Sequence, residues 1–356
     1  PCQHFAITSV IAKAGMLDTV AGLFLNTSVT HVSDSRLVAN ACAGMTMEDR
    51  FNVVATGLKF PEGPVWLPDG SVLVVEMAIS TLTRVSPDGR RHVIAQLEGT
   101  PNGAALGPDG KCYIANNGGL AWHEDPGGGI RGAGEHPDYK IGWIERVDID
   151  TGKVERLHTH TDGGPIIGPN DLVFDRQGGL WFTDFGKPRK DEITRGSLCY
   201  IPPDMSRALR VVYPMLTPNG IGLSADERRL YVAESLTSRI WRFELSAPGR
   251  IDPVPFPKSP NGGILLATLD GYRLCDSLAI DEDENICVAT FFNSSIATVS
   301  KDGRSTDYLP TPDLFTTNIA FGGPDRRTAC VTYAYTGQLV SCRWPRPGLP
   351  LNFSKV

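Results

Sequence analysis

Short apolar runs, each interrupted by a polar turn, recur along the chain from residue 61 onward. PEGPVWLPDGSVLVVE begins at Pro61, PNGAALGPDGKCYIAN at Pro101 and PNDLVFDRQGGLWFTD at Pro169. PNGIGLSADERRLYVAE begins at Pro218, CDSLAIDEDENICVAT at Cys275 and TNIAFGGPDRRTACVTY at Thr317. The six segments align on one another, and each predicts a strand, a tight turn and a second strand. Asp69, Asp109, Asp226, Asp283 and Asp325 stand at one position of the repeat, and only Gln177 breaks the series. Asp at that place, often followed by Gly, is turn chemistry.

Further strand-like runs follow most units, such as STLTRVSPDGRRHVIAQL and SSIATVSKDGRSTDYLP. Four strands per unit, at intervals of 40 to 68 residues, predict an all-β, six-bladed β-propeller with antiparallel blades. The last unit runs through VTYAYTGQLVSCRW into WPRPGLP, whose prolines cannot continue a central strand. Its outer strand is expected from FNVVATG at residues 51–57, which closes the ring and removes exposed sheet edges. The propeller then occupies residues 48–356. Residues 1–47 form an N-terminal extension without a blade motif, and Met45 or Met47 would serve as a start. A glycine-rich insertion, NGGLAWHEDPGGGIRGAGEHPDYK, lengthens the second unit and is expected to shape a binding mouth.

Composition narrows the partners. Charged residues make up 21% of the 356, with a net charge of −6 and no Lys/Arg-rich tract, which argues against nucleic acid and anionic membrane surfaces. No run of 18 apolar residues predicts a membrane span, and Lys13 and Asp18 interrupt the apolar stretch at residues 6–25. The eight cysteines are scattered; Cys112, Cys287 and Cys330 fall inside predicted strands, which favours a reduced, cytoplasmic setting.

The innermost strand of each blade lines the central channel, so equivalent residues form a ring. The leading positions read Glu62, Asn102, Asn170, Asn219, Asp276 and Asn318. All offer oxygen and none is His or Cys. Such a set suits a hard cation, Ca²⁺ first with Mg²⁺ or Mn²⁺ behind it, and Zn²⁺ less well. Asn before Gly is a common turn element, so a single PNG is usually structural. The turn reading leaves unexplained why two equivalent positions become Glu62 and Asp276.

PEGPVW, GPNDLVFDRQGGLWFTD, TPNGIGLS, DSLAIDEDENICVAT and TNIAFGGPD, with the tail WPRPGLPLNF, resemble the gluconolactonase/regucalcin (senescence marker protein) family from about Phe51 to Phe353. The resemblance implies a divalent-metal lactonase whose metal ligands here are Glu62, Asn170, Asn219 and Asp276. Two departures stand out. Ser277 follows Asp276 where the family often has Gly, and GGPIIGPND lacks the Arg that animal members use on sugar hydroxyls.

The resulting expectation is a gluconolactonase-like hydrolase that opens sugar-acid or related lactones, with Asp276 as general base and ligand and Glu62 chiefly a ligand. Asn170 and Asn102 are expected to orient substrate, while Phe185, Phe291 and Phe292 make an apolar wall. Asp184 and Glu234, at the ends of second strands, are reserve acid/base candidates. His123 and His136 in the insertion are weaker contacts. A partner-binding propeller with a structural Ca²⁺, or a hydrolase of other esters or phosphoesters, are the rival readings. The GGGIRG stretch at residues 127–132 matches a dinucleotide pattern but no strand precedes it, and no GxSxG or HExxH motif is present.

Overall fold

The structure, a computed structural model, describes residues 50–354. The N-terminal extension expected over residues 1–47 lies outside the described residues. Six antiparallel sheets stand around a central axis, five of four strands and one of five, with three two-stranded ribbons outside them. Their innermost strands are Pro61–Trp66, Pro101–Leu106, Pro169–Phe174, Pro218–Leu223, Arg273–Ile280 and Thr316–Gly322, which define blades 1 to 6.

Blade 6 closes as the sequence suggests. Asn52–Ala55 pairs antiparallel with Gln338–Arg343, setting Asn52 opposite Ser341 and Val53 opposite Val340. The start of the propeller thereby supplies the outer strand of its end and covers the edge of Gln338–Arg343. Blade 4 departs from the four-strand plan. Its third strand, Arg239–Ala247, pairs with both Arg250–Asp252 and Ile264–Thr268.

Second strands such as Val72–Glu76, Cys112–Asn116 and Leu180–Asp184 are buried at every residue, because each lies between inner and outer neighbours and between two blades. Outer strands such as Arg91–Gln96 are mostly exposed. Cys112, Cys199, Cys275, Cys287, Cys330 and Cys342 are all buried and form no disulfide among the described residues. Large side chains lock neighbouring blades, as where Tyr113 meets Phe174 with ring centroids 5.0 Å apart.

The turn aspartates work through their side chains. Asp69, Asp109, Asp226 and Asp325 each accept the amide two residues on, at 3.0–3.2 Å. In blades 3 and 5 the acceptors are instead Asp175, to Gln177 N and Gly179 N, and Asp281, to Asp283 N and Asn285 N. Asp283 therefore does not fill the turn role its place in the repeat suggested. Asp281 also carries the C-terminal tail: its carboxylate, fully buried, accepts Arg346 Nε at 2.5 Å. Asn352 then donates to Phe174 O and to Glu227, drawing the tail across the far end of the channel. Between tail and ring lies a cavity of about 380 Å³ lined by aliphatic residues of the innermost strands.

The insertion in blade 2 is a hairpin, Leu120–Glu124 with Ile130–Glu135, rather than a bare loop. Its tip docks on blade 6: Ile130 N donates to Tyr335 O at 3.0 Å, and Tyr335 Oη donates to Asp125 at 3.0 Å. A Cβ at Gly129 would sit 2.1 Å from the Tyr335 ring, so only glycine allows this approach.

A candidate metal site in the central channel

Each innermost strand carries a bulge at its start, where two residues face one on the second strand. In blade 4, Pro218 faces Glu234 and regular pairing resumes at Ile221, leaving Asn219 and Gly220 in the bulge. The same count places Glu62, Asn102, Asn170 and Asp276 at the leading position of blades 1, 2, 3 and 5. In blade 6 Thr316 faces Tyr333 and Asn318 faces Thr332, so the leading residue is Thr317. Asn318 stands one place further along, a correction to the ring drawn from sequence. The repeat misled because the inner strand of blade 6 runs one residue longer between the bulge and the turn, Ile319–Gly322 against Ile221–Leu223 in blade 4, so counting back from Asp325 lands one place late.

Asn318 still reaches the site. Its Nδ2 donates to Glu62 Oε2 at 2.9 Å, and Gly63 N donates to the same oxygen at 2.9 Å. Asn219 is fixed by its amide nitrogen, which donates to Ser235 Oγ at 3.0 Å, while Ser235 in turn donates to Cys275 O. Thr183 Oγ1 donates to Asn219 O at 2.6 Å, tying blade 3 to blade 4. Asn219 Oδ1 and Asn170 Oδ1 are buried and have no hydrogen-bond partner among the described atoms. A buried carbonyl oxygen left unmatched costs about 1–3 kcal/mol.

Carboxylates gather at the same level. Burial raises the pKa of Asp276 well above the usual value, and the nearby charges of Glu62 and Asp171 raise it further, while Asn219 favours its ionised form. Burial also raises Glu62, against hydrogen bonds from Asn318 and Gly63. Asp171 is a site residue that the repeat reading missed. Burial pushes its pKa to about 7, with Glu62 adding to the rise. The signal was present in the sequence: blades 1, 2 and 4 place Gly63, Gly103 and Gly220 where blade 3 places Asp171. A Cβ at Gly63 or Gly220 would lie 2.6–2.7 Å from the next blade's backbone, so a carboxylate there is an exception to a steric rule.

Three mutually repelling buried carboxylates beside two unmatched amide oxygens fit a divalent cation, which would offset both costs. Among the described residues no three His, Cys, Asp or Glu side chains are placed to hold a metal by themselves. A cation here would need the amides of Asn170 and Asn219 beside Glu62 and Asp276. Asn102 is buried at the same level in blade 2.

The second-strand candidates serve the backbone instead. Asp184 accepts Ile167 N at 2.9 Å, Gly168 N at 2.7 Å and Gly186 N at 3.1 Å. Glu234 accepts Leu216 N at 2.9 Å and Trp241 Nε1 at 2.7 Å. Glu76 and Asn116 do the same for Lys59 N and Thr100 N. These groups clamp the loop that precedes each leading residue and so set the ring's height. Among the aromatic candidates, Phe291 and Phe292 join a cluster at the mouth with Phe315 and Phe60. Phe185 is half-buried on blade 3 and shares no ring contact with them among the described residues. His123 lies 3.2 Å from Asp125 on the hairpin, and His136 lines a separate cavity of about 480 Å³ between the insertion and blades 1 and 2.

Residues 60–335 match the model of the SMP-30/gluconolactonase/LRE-like region. The chain belongs to this family. Curated relatives include lactonase drp35 of Staphylococcus aureus strain MRSA252, 26% identical over 280 residues, covering 78% of this chain and 76% of that protein. Lactonase drp35 of Staphylococcus haemolyticus is 32% identical over a shorter stretch, 38% of this chain and 39% of the relative's length. Solved structures share the fold. A gluconolactonase from Xanthomonas campestris superposes with a TM-score of 0.65 at 21% identity, over 87% of this chain and 94% of that one. A regucalcin from Agrobacterium tumefaciens, described as calcium-binding, gives 0.67 at 19% identity, over 86% and 97%.

Proposed function

We propose that this member of the family is a metal-dependent hydrolase that opens small lactone rings, with Glu62, Asn170, Asn219 and Asp276 holding the cation. The observation that carries the reading is the meeting, in one channel, of two partnerless amide oxygens with the buried carboxylates of Glu62 and Asp276. Ca²⁺ suits an all-oxygen donor set best, ahead of Mg²⁺, Mn²⁺ and Zn²⁺. The names of the drp35 and gluconolactonase relatives supply the substrate class.

When bound, the cation would act as a Lewis acid toward the ring carbonyl. The chain's own groups do the rest. Asp276 takes the proton of the attacking water: burial raises its pKa, which strengthens it as a base once ionised. Asn318 and Gly63 donate to Glu62 and favour its ionised form against the effect of burial. Asn219, pinned through its nitrogen, presents its oxygen in one orientation, and Asn170 and Asn102 complete the rim against which the lactone is set. The proton held by Asp276 then passes to the ring oxygen as the ester bond opens.

The test is a panel of γ- and δ-lactones assayed by acid release, with chelator and with each of the four cations restored in turn. Ring opening that vanishes with chelator and returns with one cation supports the reading. Tight cation binding without any turnover would make the site a structural plug in a binding propeller.

A further inference from the structure

One side of the channel mouth is aromatic. Blades 5, 6 and 1 and the insertion hairpin bring six aromatic rings into one continuous surface. Trp122 lies 4.8 Å from Phe60, and Phe60 lies 6.1 Å from Phe315. Phe315 lies 5.0 Å from Phe291, 5.8 Å from Phe292 and 5.6 Å from Tyr335. Phe60 and Phe315 are buried, whereas Trp122, Phe291, Phe292 and Tyr335 keep part of their surface open. The wall adjoins the carboxylates: Phe60 precedes Glu62 by two residues, and Phe291 pairs with Leu274, two residues before Asp276.

Two of these rings are held at a cost. Phe60 and Phe292 adopt φ of 57° and 66°, the left-handed region that bulky side chains avoid. The hairpin that carries Trp122 is itself latched by Asp125 and Tyr335, so the wall is preorganised.

We infer that the site takes lactones bearing a flat apolar substituent, such as an aryl group, in preference to polyhydroxylated sugar lactones. This rests on the lactone-opening reading above. The half-open Phe291 and Phe292 rings offer stacking and apolar burial but nothing for hydroxyl groups to bond, and Tyr335 Oη is already engaged by Asp125. A polyol against them would lose water without replacing its hydrogen bonds.

Two arms test the inference. In the first, wild type is assayed on γ-phenyl-γ-butyrolactone, unsubstituted γ-butyrolactone and glucono-δ-lactone. The phenyl compound should exceed both others in kcat/KM by at least about tenfold, the scale of a well-filled apolar pocket. Trp122→Ala and Phe291→Ala should lower the ratio of phenyl to unsubstituted kcat/KM about tenfold, chiefly through KM. Phe291→Leu, which keeps apolar volume, should lower it less. In the second arm, calorimetry follows binding of 5-phenyl-2-pyrrolidinone, the unhydrolysable lactam, against 2-pyrrolidinone. Preference for gluconolactone, or variants that leave the ratio unchanged, overturns the inference while leaving lactone opening intact. If no lactone is opened yet the phenyl lactam binds selectively and Trp122→Ala abolishes this, the hydrolytic reading falls and the aromatic recognition stands. If neither lactam binds, the inference fails.

Discussion

Asn318 donates its side-chain N–H to Glu62 Oε2 at 2.9 Å, joining two residues 256 positions apart across the seam between the last blade and the first. Ring closure and the candidate cation site thus share a bond. Asn318→Leu keeps the volume but removes the donor, so the charged form of Glu62 loses support. A hydrogen bond to a charged group contributes about 1.5–3 kcal/mol, so calorimetric affinity for Ca²⁺ should fall about tenfold or more. Asn102→Leu should change it less.

Glu62→Gln and Asp276→Asn each remove a charge while nearly conserving shape. Both should weaken divalent-ion binding sharply in the same titration. In turnover they should part: a lost general base costs about 10²–10⁴ in rate, so Asp276→Asn stays slow at saturating metal. Asn170→Ala should recover part of its activity as metal is raised. Recovery of wild-type turnover by Asp276→Asn would move the base elsewhere, to Asp171 first.

Asp281 has no exposure and its carboxylate is met by Arg346 from the tail. Arg346→Met leaves that charge buried beside Asn285 and backbone amides only. Breaking a buried pair by removing one partner costs roughly 3–5 kcal/mol. The urea midpoint should fall accordingly, and Asp281→Asn in the same background should restore part of the loss.

Lys187 is 2% exposed and donates to Asn117 O, Asn117 Oδ1 and Gly119 O, clamping the root of the insertion hairpin. Burial depresses its pKa to about 8, against a usual value of 10.5, while Glu135 and Asp184 oppose the drop. The folded chain therefore releases this proton first as pH rises. Between about pH 8 and 10.5 the unfolded chain holds more protons, so stability gains up to roughly 3 kcal/mol across that window. The difference in urea stability between wild type and Lys187→Met should follow this slope; a flat difference would contradict it.

Removing residues 1–49 should leave a folded, cation-binding propeller. Extending the deletion through residue 57 takes away the strand Asn52–Ala55 and bares the edge of Gln338–Arg343. A large fall in melting temperature, with a tendency to aggregate, is expected for the longer deletion alone.

The six-fold repeat of strand, turn and strand is a local pattern, and the sequence by itself determined the blade count, the closing strand and four of the candidate residues that line the channel. Glu62, Asn170, Asn219 and Asp276 were legible because symmetry carries equivalent residues to equivalent places. Wherever the repeat varies internally, only the tertiary structure decided. One extra residue between the bulge and the turn of blade 6 put Thr317, not Asn318, in the ring, and register depends on pairing across strands rather than on residue type. Asp171 became a site residue only once the close approach of neighbouring blades showed why glycine stands at its counterparts. The loop-like insertion proved a hairpin whose tip docks on a distant blade, because Gly129 leaves room for the Tyr335 ring. Phe60, Trp122 and Phe315 met Phe291 and Phe292 from remote parts of the chain, and long-range packing of that kind leaves no periodic trace in a sequence.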